Sequence, residues 1–122
     1  MILADTSVWI DHFRRHDEGL EALLEQGQIL SHPFVTGEIA LGSLRQRTSV
    51  LFSLNRLPQS VVARDEEVLR WIEDHRLFAI GLGYVDAHLL AAVMLTPETR
   101  LWTRDRSLRE AATRMGIDSG LN

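Results

Sequence analysis

Four acidic side chains stand where solvation alone does not readily account for them: Asp5, Glu38, Asp86 and Asp105. Asp5 follows the apolar run Ile2-Leu3-Ala4, and Asp105 follows Leu101-Trp102-Thr103. Each therefore sits just past a strand candidate, at the carboxyl end, where open α/β sheets collect their ligands. The competing role at both positions is an N-cap for the next helix. Glu38 falls mid-helix between Phe34 and Leu41, on what reads as an apolar stripe. A carboxylate there is costly to bury unless it is paired or metal-bound, and the alternative is a helix edge left in water. Asp86 heads a stripe of Leu89, Leu90 and Val93; its alternative is a capping role. Brought to one sheet edge, such carboxylates repel one another unless a cation sits among them. Oxygen donors in a chain with no Cys suit Mg²⁺ or Mn²⁺ better than zinc. A site of that kind lowers the pKa of bound water and steadies charge on a phosphodiester.

The elements that must position these residues are legible from pattern. Ile2–Ala4, Ile29–Ser31 and Leu101–Thr103 read as short buried strands, with a further strand expected near Val61–Ala63. Helices are expected around Val8–Phe13 and around Leu20–Leu24. Pro33 suits the first position of a helix running to about Gln46, because its missing N–H has no partner there in any case. The segment 47–64 is ambiguous, with a short helix expected before the strand. Asp65 is expected to cap a helix through His75, and a strongly apolar helix should run from about Val85 to Leu95 before Pro97. The last helix begins at Asp105, with Leu108, Ala111, Ala112 and Met115 on one face and Gly116 as its stop. Strands alternating with helices imply an α/β fold around a parallel sheet.

Composition narrows the chemistry. The chain has 122 residues, 45% of them hydrophobic and 25% charged, so a single globular domain over 1–122 is expected. All 13 basic residues are Arg. Without Lys, a Walker A phosphate loop, a protein kinase and a Schiff-base enzyme are excluded. Without Cys, so are disulfides, thiolate nucleophiles and Cys-based zinc sites. Net charge is −4, from 17 acids against 13 Arg. Setting aside the four candidate acids leaves 13 against 13, so the excess belongs to the proposed site and does not oppose an RNA substrate. The acidic start is unlike a signal peptide, and no apolar run approaches the ~20 residues that span a bilayer. A cytoplasmic location with no membrane association is expected.

The local motifs resemble a known family. Asp5-Thr6-Ser7-Val8-Trp9-Ile10 is similar to the opening of PIN domains, and specifically of VapC-type toxins from type II toxin–antitoxin systems. Thr36-Gly37-Glu38-Ile39-Ala40-Leu41-Gly42 resembles their helix with an internal Glu. Gly83 to Ala92 resembles their third acidic motif, and Leu101 to Leu108 their fourth. The resemblance implies a PIN-like three-layer sandwich, with a mainly parallel central sheet flanked by helices. It implies a Mg²⁺- or Mn²⁺-dependent endoribonuclease with Asp5, Glu38, Asp86 and Asp105 as catalytic metal ligands. Ser7 and Thr103 match positions where the family often places a hydroxyl. Cleavage would leave 5′-phosphate and 3′-hydroxyl ends, and the implied partners are an RNA substrate, a small VapB-like antitoxin and a second copy of the chain. Two other readings compete: an RNA-processing nuclease of the same fold without an antitoxin, and a catalytically silent module that binds RNA or protein.

Other signals are weaker. Arg104 and Arg106 flank Asp105 and are candidate RNA contacts, since guanidinium groups make bidentate phosphate contacts. Arg14 and Arg15 are further candidates. His12 and His16, four apart, form a possible zinc pair without a third ligand and read better as surface histidines. His88 lies about 200° round its helix from Asp86, which favours a structural role. Gly81-Leu82-Gly83 begins like a dinucleotide fingerprint but lacks its third Gly.

Overall fold

The structure, a computed structural model, describes residues 1–122. Three short strands, β1 (Ile2–Ala4), β2 (Ile29–Leu30) and β3 (Arg100–Trp102), form one all-parallel sheet in the order β2-β1-β3. Leu3 pairs with Leu30 on one side and Leu101 on the other; the central strand is all apolar, with Leu3 and Ala4 buried and Ile2 partly so, as parallel sheets require. Seven helices connect and cover it: α1 (Thr6–Arg14), α2 (Glu18–Glu25), α3 (Pro33–Leu41), α4 (Arg47–Arg56), α5 (Asp65–Asp74), α6 (Tyr84–Leu95) and α7 (Arg106–Arg114).

The connections set the layers. The chain leaves β1 through α1 and α2 to β2, then returns past β1 through α3–α6 to β3. Such parallel crossovers are right-handed and lay their helices over the sheet, giving an α/β sandwich in which α1 of the first connection packs against α3 of the second. α6 is buried from Ala87 to Val93 without interruption, as expected of a helix that is apolar all round. Its Leu89 and Leu90 join Leu3, Val8, Ile39, Leu101 and Leu108 in the main core. β1 and β3 are neighbours whose following helices diverge, α1 toward β2 and α7 toward the outer edge, where Leu101 bridges Asp118. The crevice at their carboxyl ends is a topological switch point.

Three expectations are corrected. α3 stops at Leu41 rather than near Gln46, because Gly42 turns to an extended conformation while its N–H bonds the Ile39 carbonyl. No strand forms at Val61–Ala63. Only Gln59 bridges β2, through Ser31, after which the Val61 N–H goes to the Thr96 hydroxyl and Val61 and Val62 are exposed. Asp65 is the first residue of α5 rather than its cap: Glu67 takes the Arg64 N–H, and the Asp65 carboxylate faces α6 instead.

Candidate active site

Asp5 stands at the switch point. Its N–H extends the β1–β3 ladder by bonding the Trp102 carbonyl at 2.9 Å, which fixes the backbone before the side chain has any role. The carboxylate is 6% exposed and fully partnered. Oδ1 accepts from the Thr6 N–H at 2.7 Å; Oδ2 accepts from the Thr103 hydroxyl at 2.7 Å and the Ser7 hydroxyl at 3.0 Å. Ser7 Oγ in turn accepts from the Arg104 N–H, and Thr103 Oγ1 from the Asp105 N–H, each at 3.0 Å. Two hydroxyls thus tie the end of β1 to the end of β3. A buried carboxylate is tolerable when its lone pairs are satisfied in this way.

Asp105 caps α7, with Oδ1 accepting from the Leu108 N–H at 2.8 Å; its side chain is exposed. Asp86 sits in the first turn of α6, where Oδ2 accepts from the Gly83 N–H at 3.0 Å. At Asp105 the cap uses one oxygen and leaves the other unpartnered, whereas at Asp5 the second oxygen is taken by the Ser7 and Thr103 hydroxyls. Glu38 departs from its expected setting. Leu41, its supposed apolar neighbour, is 90% exposed, and Glu38 itself lies at a solvent-exposed edge of α3. It is nonetheless drawn to the crevice, since Oε1 accepts from the Thr6 hydroxyl at 2.7 Å.

Asp86 lies within electrostatic reach of the other three acids. The Asp86 carboxyl titrates above the usual Asp range, first because it is partly buried and then because Asp5, Asp105 and Glu38 all repel its charge. The Gly83 N–H works in the opposite direction. One carboxylate therefore feels the other three, which come from two strand ends and two helices. The donor set is all oxygen, the chemistry preferred by hard divalent cations. No three His, Asp or Glu side chains form a ready-made ligand cage.

Several other residues lie apart from this cluster. The Arg104 guanidinium is engaged within the fold. It bonds Asp11 at 2.9 Å, Asp17 at 2.5 Å and the Asn122 carbonyl at 3.0 Å, and it lies 5.3 Å over the Trp102 ring. The expectation that Arg104 grips RNA is corrected on that ground: its donors lock α1 and the α2 cap to β3. Arg106 is exposed and pairs only with Glu110, one turn on along α7. His88 is buried, with Nε2 3.1 Å from Asp65 Oδ1, an oxygen that also accepts from Tyr84; it braces α5 against α6. His12 accepts from the Asp17 N–H and His16 pairs with Glu21, so they hold the α1–α2 junction. Thr6 escaped sequence reasoning. Its only signal was a hydroxyl at the first position of a helix, and its partner lies 32 residues away.

Residues 2–113 match the family model of the PIN domain. The chain is 48% identical over 117 residues to "Ribonuclease VapC32" of Mycobacterium tuberculosis strain CDC 1551 / Oshkosh, a match covering 96% of this chain and 94% of the relative. It matches "Ribonuclease VapC32" of strain ATCC 25618 / H37Rv to the same extent. The acidic switch point, the parallel sheet and these matches agree: the chain belongs to the PIN-domain family.

Proposed function

We propose that residues 1–122 form a single PIN-like domain that acts in the cytoplasm as the toxin of a type II toxin–antitoxin pair. Its activity is divalent-metal-dependent cleavage of RNA, leaving 5′-phosphate and 3′-hydroxyl ends. The observation that supports this reading is geometric: Asp5 is hydrogen-bonded across to Thr103 at the end of β3, beside the Asp105 cap, and Thr6, next to Asp5, holds Glu38, with Asp86 near enough for all three to repel its charge. When bound, Mg²⁺ or Mn²⁺ supplies Lewis acidity for the scissile phosphate and lowers the pKa of attacking water. The chain provides the rest. Asp5, held by three hydrogen bonds, is the rigid ligand, and Ser7 and Thr103 keep its orientation. Asp105 and Asp86 each have one oxygen held by a backbone N–H and the other left without a hydrogen-bond partner. Arg106, exposed beside Asp105 on α7, is placed to meet an RNA phosphate.

The partner in this reading is a small antitoxin. A cleft between α1 and the α3–α4 turn is lined by Ile10, Phe13, Leu44 and Val50, with Arg14 and Arg45 and no acid in its wall. That surface suits an amphipathic antitoxin segment carrying carboxylates. The toxin itself is a homodimer in this reading. Sizeable apolar side chains left in water, Phe52 at 61% and Phe78 at 55%, support an assembly larger than one chain.

The decisive test is RNA cleavage by the wild type and Asp5→Asn, followed by mapping of new 5′ ends. The substitution keeps the shape of the side chain and removes its charge. A folded Asp5→Asn chain without Mg²⁺- or Mn²⁺-dependent cleavage is expected; undiminished cleavage would sink the assigned site. Growth arrest on expression should also disappear with Asp86→Asn.

A further inference from the structure

Three of the four acids are oriented by their own local backbone. Asp5, Asp86 and Asp105 each give one oxygen to an N–H within three residues, so their short side chains are fixed as soon as the adjoining helix forms. Glu38 differs in both respects. Its side chain has an extra rotatable bond, it projects from the middle of α3, and no backbone N–H holds it. Its one hydrogen bond is the 2.7 Å contact from the Thr6 hydroxyl, at the first residue of α1. Without it, the Glu38 carboxylate would sample solvent rotamers, assisted by repulsion from the other three acids. The Thr6 hydroxyl takes only Oε1, and Oε2 keeps its lone pairs. The Thr6 N–H simultaneously fixes Asp5, so one residue orients two acids from different elements.

We propose that Thr6 is a positioning residue: its hydroxyl holds Glu38 toward the other three acids and leaves Oε2 free to take a divalent cation. This rests on the metal-site reading given above. Partners that orient metal ligands typically change metal affinity by roughly 10-fold or more when removed. The conservative probe is Thr6→Val, which preserves the branched shape and the Thr6 N–H but removes the hydroxyl. Thr6→Ser retains the hydroxyl.

Two measurements on the full chain test it. Mn²⁺ titration by calorimetry should show roughly 10-fold weaker binding for Thr6→Val, with Thr6→Ser near the wild type and melting temperatures little changed. In metal-free protein, three-bond NMR couplings of the Glu38 side chain should report one rotamer in the wild type and in Thr6→Ser, and rotamer averaging in Thr6→Val. Equal Mn²⁺ affinity in Thr6→Val and wild type, or averaged Glu38 couplings in the wild type, would overturn the Thr6 assignment and leave the metal site standing. A wild type with no saturable Mn²⁺ binding would overturn the metal reading itself, and the proposal with it.

Discussion

Asp5 shows how a single side chain serves structure and chemistry together. One oxygen caps α1 and the other is clamped by two hydroxyls; the negative charge is what neither role consumes. The clamp should be measurable through Thr103, which is fully buried. Thr103→Val removes a donor to Asp5 and the acceptor of the Asp105 N–H. A loss of roughly 1–3 kcal/mol in urea unfolding is expected, as for buried groups left unpartnered, with Thr103→Ser close to the wild type. Asp86 gives the opposite sign. Its folded pKa is raised by burial and by its three acidic neighbours, so the fold favours the protonated form. The stability it contributes is complete below the unfolded Asp range and is lost as pH rises through the raised folded value. Asp86→Asn should therefore stabilise the metal-free chain at neutral pH. Thermal melts at acidic and neutral pH check this, the gain shrinking as the pH falls.

At the scale of elements, α3 depends on a histidine. His32 is fully buried and its Nδ1 accepts from the Phe34 N–H at 3.0 Å, capping the helix that carries Glu38. Protonation would destroy that acceptor and place a cation at the positive end of the helix dipole. Burial, reinforced by the neighbouring His88, lowers its pKa to about 4. The neutral form is the folded form, so stability falls as pH drops below the ordinary His value and continues to fall until about 4. The span between those values corresponds to up to about 3 kcal/mol. His32→Asn keeps a capping acceptor without titrating near this range. The difference between wild-type and His32→Asn stability curves should appear only as pH falls from near 7 toward 4, which chemical denaturation across that interval measures. Sequence pattern found α3 and its Pro33 start but overran its end, because a run of helix-compatible residues says little about where Gly42 will leave the helix. It also placed a strand at 61–63, where a short apolar run was outweighed by the Val61 N–H finding Thr96.

For the whole molecule, the balance of charge is a property of the site. Thirteen Arg offset all acids but four, and in the metal-free fold Asp86 feels the charge of Asp5, Asp105 and Glu38. Ligand binding to the native state alone stabilises it by mass action, about 2.7 kcal/mol at 100 times Kd. Saturating Mn²⁺ should therefore raise the melting temperature of the wild type and fail to do so in Asp5→Asn; calorimetric scans with and without metal read this directly. An equal shift in both chains would place the bound ion elsewhere. No helix is long and apolar enough to cross a membrane.

The sequence by itself determined the features governed by near neighbours. A short, largely apolar run, then an Asp and a helix-forming stretch, specifies strand, cap and helix within about ten residues: directly after Ile2-Leu3-Ala4 at Asp5, and two residues past Thr103 at Asp105. An uninterrupted apolar stretch specifies that α6 is central. Only the tertiary structure decided what depends on chain crossings. It brought Thr6 to Glu38, whose own helix face, with Leu41 in water, gave no reason for it to join the cluster. It turned Arg104 inward to Asp11 and Asp17 when its position beside Asp105 pointed to a ligand contact. A cap is written in the next three residues; a side-chain bond across 32 or 93 positions exists only after the right-handed crossovers have set α1 against α3 and β3.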